Sequence, residues 1–241
     1  MNHDNIFAAI LAGGMGTRMQ SEQKPKQFLE VGGKPIIIHT IEKFISIENF
    51  TKILVLTPAD WVDYTRVLIE NYMGTDSGVL VLPGGSDRNE TLMCALAYIE
   101  EHYKVDADTI LVTHDAVRPF VTERIIRENM EAAGLYGACG TAIPATDTIV
   151  QSRDGKYMNS IPDRSCMYQQ QTPQSFRVTL LKETYALLNE EERKSLTDAC
   201  KILVLKGEKV HLVQGEVSNI KITYPHDLRV AEAILGGEKT C

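Results

Sequence analysis

Short apolar runs alternate with stretches whose apolar residues recur at helical spacing. The run Ile6–Leu11 (IFAAIL) carries no polar residue and reads as a strand buried on both faces. Residues 35–47 (PIIIHTIEKFISI) repeat apolar positions with a helical period behind an N-terminal proline, and so predict a helix. Residues 52–57 (KILVLT) predict a second strand, 60–72 a helix capped by Asp60, and 79–82 a third strand. Pro83, Gly84 and Gly85 then make a turn, and Ser86 or Asp87 caps a helix running to about Glu101. A further strand (109–113), a helix (122–133) and a short strand (140–144) follow. Strands alternating with helices predict an α/β fold, a Rossmann-like and mostly parallel sheet flanked by helices.

The rhythm changes after Asp147. Residues 147–172 look like a protruding β-hairpin arm, with a turn at Asp154-Gly155 and little apolar surface of its own. An isolated hairpin is marginal in water, so the arm is expected to lean on a second copy, making a homodimer, or to cover the site. The tail predicts helices near 178–188 and 197–205, a strand at 209–213, an extended segment at 219–223 and a last helix to about 235. Without an internal repeat or a Pro/Ser-rich linker, residues 1–241 are expected to form one domain with an arm.

Composition narrows the function classes. Of 241 residues, 44% are hydrophobic, enough for a full core, and the net charge of −7 argues against a general nucleic-acid or anionic-membrane binder. No apolar run approaches the roughly 18 residues of a membrane span, so a cytoplasmic location is expected. The five cysteines contain no CxxC pair, which fits reduced thiols rather than a disulfide framework or a zinc site. Against the acidic background, Arg18, Lys24 and Lys26 stand together behind the glycines of LAGGMG.

That stretch is the first candidate site. Glycines 13, 14 and 16 let main-chain N–H groups approach an anion, and the cations neutralise it. The third glycine of a dinucleotide fingerprint is missing, and no Gly-Lys-Ser/Thr completes a Walker loop. The second candidate is Gly84-Gly85-Ser86-Asp87-Arg88-Asn89-Glu90-Thr91; alone it equally describes a β-turn and a capped helix. Its functional reading places main-chain groups of Gly85 and Ser86 at a base edge, with Arg88 and Thr91 reaching toward it. The third is Asp115 in HDAVRPF, at a strand end where open α/β sheets place ligands. It is the candidate Mg²⁺ ligand, with a simple turn contact to Arg118 as the alternative. His114 reads as a hydrogen-bonded turn residue, and Asp106-Ala107-Asp108, which precedes its strand, as a solvated turn. Lys221 interrupts apolar residues at strand spacing in NIKIT.

In this order, LAGGMGTRM…KPKQF, GGSDRNET, THDAVRPF, TDTIV, QTPQSF and SNIKIT resemble the cytidylyltransferases that join CMP to a polyol phosphate, over essentially the whole chain. The resemblance implies a nucleotide-diphospho-sugar transferase type of fold, CTP as co-substrate and Mg²⁺. It implies that Leu11, Ala12, Gly13 and Gly14, with residues 84–90 and Thr91, surround CTP, and that Asp115 lies near the metal. Arg18 and Lys26 match the pair that stabilises the transition state. Arg164 and Lys221 match the pair that positions the polyol phosphate, with Thr148 and Thr197 nearby, and Gln170 stands where a glycine is expected. LAGG, THDAVRPF, MYQQQTPQSF and TDACKI are more similar to the ribitol-5-phosphate enzymes of teichoic-acid or capsule synthesis than to the methylerythritol-phosphate enzymes of isoprenoid synthesis, the alternative. Two other classes are a glycosyltransferase, which needs a DxD after a central strand, and a protein that binds CTP without turnover.

Overall fold

A computed structural model describes residues 5–14 and 24–238. Arg18, expected in the glycine loop, lies outside the described residues. Strand β1 (Ile6–Leu11) is central, and its alternate side chains enter two different cores. Ile6, Ala8 and Ile10 face one layer of helices; Phe7, Ala9 and Leu11 face the other. A strand sealed on both sides has no position for a polar side chain, which is why its sequence is a continuous apolar run.

After β1 the chain makes a two-residue hairpin, β2 (Glu30–Val31) and β3 (Lys34–Pro35), turning through Gly32 and Gly33 with φ of 61° and 77°. Then follow α1 (Ile36–Ile45), β4 (Lys52–Thr57), α2 (Val62–Met73), β5 (Val79–Pro83), α3 (Arg88–His102) and β6 (Ile110–Asp115). Next come α4 (Glu123–Tyr136), β7 (Ala138–Pro144), β8 (Tyr168–Arg177), α5 (Val178–Ala186), α6 (Glu190–Lys194), α7 (Cys200–Val204), β9 (His211–Gln214) and α8 (Pro225–Glu238). The seven-stranded sheet has the order β5-β4-β1-β6-β8-β7-β9. Helices α1, α2 and α4 cover one face, and α3, α5 and α7 the other, as the alternation predicts.

All contacts among β5, β4, β1 and β6 are parallel, whereas β8 runs antiparallel to both of its neighbours. From β1 the chain builds outward through β4 to β5 and then returns to the opposite side of β1 as β6. The strand order therefore reverses between β1 and β6, and a crevice beyond the strand ends at such a switch point is where open α/β sheets hold ligands. Leu11 and Asp115, the last residues of the two strands, are register partners at its floor.

Three differences from the sequence expectations have physical causes. Strand β8 includes residues 168–172, so the end of the expected arm belongs to the main sheet; its buried polar residues hid the strand. Within the arm, the turn holds through Asp154 Oδ1, which accepts from the N–H groups of Lys156 and Tyr157 at 2.9 and 3.0 Å. The paired strands, however, reduce to one bridge between Gln151 and Ser160. Asp60 sits inside a 3-10 turn before α2 rather than capping it, and the helix entry has no side-chain cap.

Candidate active site

Each wall of the crevice is fixed by local chemistry. β1 ends where Ala12 donates its N–H to Leu56 O at 2.8 Å, which guides the chain into Gly13 and Gly14. At the far end of that segment, the buried Gln27 donates Nε2–H to Ala12 O at 2.7 Å and ties the turn carrying Lys26 back to the strand end. Phe28 stacks on Trp61 at 5.1 Å behind it. Across the crevice, Asp87 caps α3: its Oδ1 accepts from Asn89 and Glu90 N–H, both at 2.8 Å. A Cβ on Gly85 would lie 2.3 Å from the Glu90 Cβ and 2.9 Å from Thr91 N, so only glycine lets the loop fold this tightly onto the helix.

Two adjoining cavities share this crevice. The first, about 230 Å³, is lined by Leu11, Gly13, Gly14, Ser86, Asp87, Arg88, Thr91 and Asp115. The second, about 70 Å³, is lined by Leu11, Ala12, Gly14, Lys26, Gln27, Asp115, Ala116, Val117 and Lys221. Asp115 stands in the wall of both. Its Oδ2 is 2.9 Å from Lys221 Nζ and 3.5 Å from Arg118 Nε, and its Oδ1 is 3.4 Å from Arg88 Nε. Burial opposes the charge on Asp115, yet Arg88, Lys221 and Arg118 outweigh it and hold the carboxyl well below the usual carboxylate range. Among the described residues the cavity walls therefore carry Asp115 and Asp87 against Arg88, Lys221 and Lys26, with Arg118 behind, a surplus of positive charge suited to an anion.

Behind the charges lies a buried polar scaffold. Asp115 N–H donates to Thr172 Oγ1 at 3.1 Å, and Thr172 lies 3.0 Å from His114 Nδ1, while His114 Nε2 lies 3.1 Å from Arg118 O. These partners assign His114 as the neutral tautomer protonated on Nε2. Burial pushes its pKa down to about 4, so it serves the scaffold rather than acting as a base. Arg118 Nη1 donates to Asn219 O at 2.8 Å, and Asn219 Nδ2 donates to Gln171 Oε1 and Thr172 O. Together these bonds carry Lys221 to the end of β6, although residues 219–223 form no strand.

The structure thus brings Leu11, Ala12, Gly13, Gly14, Lys26, Ser86, Asp87, Arg88, Thr91, Asp115 and Lys221 together. Gly84, Gly85, Asn89 and Glu90 stand one layer behind: Asn89 is buried against the Leu196 carbonyl, and Glu90 holds Ser86. Arg88 turns toward Asp115 rather than toward a base, and Thr91 donates its hydroxyl proton to Asp87 O at 2.6 Å. Arg164, Thr148 and Thr197 do not line the cavities. Arg164 is exposed at the base of the arm, donating to Thr146 O at 3.0 Å; Thr148 is exposed in the arm, and Thr197 contacts Asp198. The Asp106-Ala107-Asp108 turn is closed on itself, its Asp106 Oδ1 accepting from Thr109 Oγ1 and Asp108 N. Cys139 is buried with its pKa pushed up to about 12, an inert thiol.

A glycine segment, a capped loop facing it and Asp115 held among cations meet at the switch point of this sheet, and the chain matches one family along its length. The family model for 2-C-methyl-D-erythritol 4-phosphate cytidylyltransferase matches residues 6–237. The chain belongs to that family. It is accordingly a nucleotidyltransferase of the cytidylyltransferase kind. Among solved structures, the 4-diphosphocytidyl-2C-methyl-D-erythritol synthase of Anaerococcus prevotii is 28% identical, with 98% of this chain and 97% of that one covered and a TM-score of 0.80. The 2-C-methyl-D-erythritol 4-phosphate cytidylyltransferase of Francisella tularensis is 27% identical over 95% of this chain and 99% of its own, with a TM-score of 0.78. The Thermus thermophilus cytidylyltransferase is 28% identical, covering 95% and 98%, with a TM-score of 0.71. Sequence reasoning missed Gln27, Thr172 and Asn219 as parts of the site, and treated Arg118 only as a turn contact. Arg118 and Asn219 lie in the motifs THDAVRPF and SNIKIT already singled out, a signal that those motifs have more than one working residue.

Proposed function

We propose that this cytidylyltransferase moves CMP from CTP to a polyol phosphate, releasing pyrophosphate. The supporting observation is the Asp115 cluster between two cavities, one beside the capped loop of α3 and one beside Lys26 and Lys221. A phosphate oxygen of the acceptor attacks the α-phosphorus in line, and the α–β bridging oxygen leaves with pyrophosphate. The attacking phosphate is already largely ionised at neutral pH, so the chain needs no nucleophile of its own and no strong base. The barrier is the approach of two anions, which positioning and fixed cations lower. Lys26, with Arg18 in the glycine segment, stabilises charge on the α-phosphate and the leaving group, and Lys221 docks the acceptor phosphate. Arg164 assists that docking if the arm reaches a cavity, its own or that of a second copy; dimerisation through the arm belongs to the same reading.

Asp115 suits a magnesium ion. It is ionised at neutral pH, and one protein carboxylate suffices where phosphate oxygens and water supply the other ligands. The bound ion would neutralise triphosphate charge, while Arg88 and Arg118 keep the carboxylate aimed.

The comparisons favour 2-C-methyl-D-erythritol 4-phosphate as acceptor, since the family model and the named relatives carry that substrate. D-ribitol 5-phosphate, for CDP-ribitol and teichoic-acid or capsule-type polymers, is the second reading, supported by the spelling of THDAVRPF, MYQQQTPQSF and TDACKI. Pyrophosphate release with CTP, Mg²⁺ and each of the two polyol phosphates separates them, with a sugar 1-phosphate as control. Turnover with one polyol phosphate alone selects that reading, and no release with any acceptor refutes transfer.

A further inference from the structure

The carbonyl of Ala12 and the N–H of Gly13 belong to one peptide, which lies between the two cavities. Ala12 lines the second cavity together with Lys26 and Gln27, and Gly13 lines the first. The preceding peptide is held by the sheet, since Ala12 N–H donates to Leu56 O. Beyond it Gln27 takes over, its amide gripping Ala12 O at 2.7 Å. The Ala12–Gly13 peptide is trans, so its carbonyl and its N–H point in opposite directions, and the N–H lies on the side away from Gln27. No hydrogen bond among the described residues takes up that N–H. Gln27 is 1% exposed, and burying an amide costs free energy unless its donors are used. The turn has other supports: Phe28 N–H donates to Pro25 O at 3.0 Å, and the Phe28 ring packs on Trp61 and Tyr64, 5.1 and 5.0 Å away. An apolar side chain of equal size would fill the same space; what only the amide supplies is the bond to Ala12.

We infer that Gln27 is a positioning residue with two outputs. It keeps the Ala12–Gly13 peptide from turning its carbonyl toward a bound phosphate, and it fixes the main chain from which Lys26 reaches the crevice. A flipped peptide would aim an acceptor at the anion in place of a donor, and a released turn would let Lys26 drift from the charge that develops in transfer. The two groups are close neighbours: a Cβ on Gly14 would lie 3.9 Å from Lys26 Cε. One buried amide thus sets a main-chain donor and a cation together. This rests on the reading that the crevice receives a nucleoside triphosphate and that Lys26 acts on the transferred phosphate, and adds what holds both groups in place.

The test uses the full chain as wild type, Gln27→Met, Gln27→Glu, Lys26→Ala and the double variant Gln27→Met with Lys26→Ala. Calorimetry with Mg²⁺ reads CTP affinity, steady-state pyrophosphate release reads kcat, and circular dichroism checks the fold. Gln27→Met removes the donor at nearly constant volume and should lower both CTP affinity and kcat by about tenfold, the worth of one hydrogen bond. In the Lys26→Ala background the affinity loss should persist, while the kcat loss shrinks below about threefold, because the cation through which Gln27 acts is gone. Gln27→Glu sets a carboxylate, which only accepts, against the Ala12 carbonyl; on taking up a proton it donates again. The kcat of this variant relative to wild type should therefore rise as the pH falls from about 8 to 6, which a space-filling role would not produce. That series decides the matter if Gln27→Met does not fold. Affinity and kcat both within about twofold of wild type in Gln27→Met, an equal kcat loss in both backgrounds, or a flat relative pH profile for Gln27→Glu would each overturn the inference. Wild type that binds CTP but releases no pyrophosphate with any acceptor refutes the proposed transfer, and weaker CTP binding by Gln27→Met then still supports the hold on the peptide. Release by wild type with neither quantity moved refutes the hold alone.

Discussion

Lys26 enters the crevice from a turn whose neighbour Gln27 is bound to the end of β1, so its main chain is set before any phosphate arrives. A cation placed in advance where negative charge develops acts chiefly on the transition state. Lys26→Ala should therefore lower kcat by ~10²–10³-fold with a smaller change in KM, measured by steady-state pyrophosphate release. A second residue-scale expectation concerns His114. Its pKa falls from 6.5 in the unfolded chain to about 4 in the buried scaffold. Between those values the unfolded state binds more protons, so this contribution is complete above about pH 6.5 and is lost as the pH falls toward 4. The change is on the order of 3 kcal/mol. Urea unfolding between pH 7 and 4.5 should show it, and His114→Gln should flatten that part of the profile. At this scale Asp115 and Lys221 were legible, because a charge ending or interrupting an apolar run has few structural uses. Gln27, Thr172 and Asn219 were not. They are buried polar groups whose partners lie far away in sequence, and no local pattern marks a hydrogen bond between residues 27 and 12 or 219 and 171.

Among the elements, the parallel half of the sheet was readable from β1 to β6, since strands sealed on both faces must be apolar throughout. Strand β8 was not readable. Gln171, Thr172, Gln174 and Ser175 are all buried, and polar side chains in a sheet interior survive only because the fold supplies partners: Thr113 Oγ1 donates to Gln174 O, and Gln174 Oε1 accepts from Ala199 N. The short α6 escaped for another reason. Its residues, EEERK, show no apolar face, and a capping box at Asn189 and Glu192 sustains it instead. Helix α3 offers the clearest element-scale prediction. Asp87→Ala removes the acceptor for two N–H groups and should cost about 1 kcal/mol in urea unfolding. Because the same residue lines the first cavity, CTP affinity measured by calorimetry should fall as well.

For the whole molecule, the described residues contain no helix long and apolar enough to cross a membrane, and the arm exposes apolar side chains. Val150, Tyr157, Met158 and Ile161 are exposed, at 43, 70 or more, and 62% in the cases of Val150, the Tyr157–Met158 pair and Ile161, on a segment with one bridge. Packing against a second copy would bury them. Light scattering should give a dimer mass for the wild type, and replacing Met158 and Ile161 with serine should shift it toward the monomer; a wild-type monomer at all concentrations refutes arm-mediated pairing. Asp115 has a consequence at this scale too. One carboxylate shared by Arg88 in the wall of one cavity and Lys221 in the wall of the other would, under the proposed two-substrate reading, link the two ligands thermodynamically. A nucleotide that draws Arg88 onto its phosphates would leave Asp115 to Lys221 and Arg118, and by reciprocity an acceptor that takes Lys221 would change nucleotide affinity by the same factor.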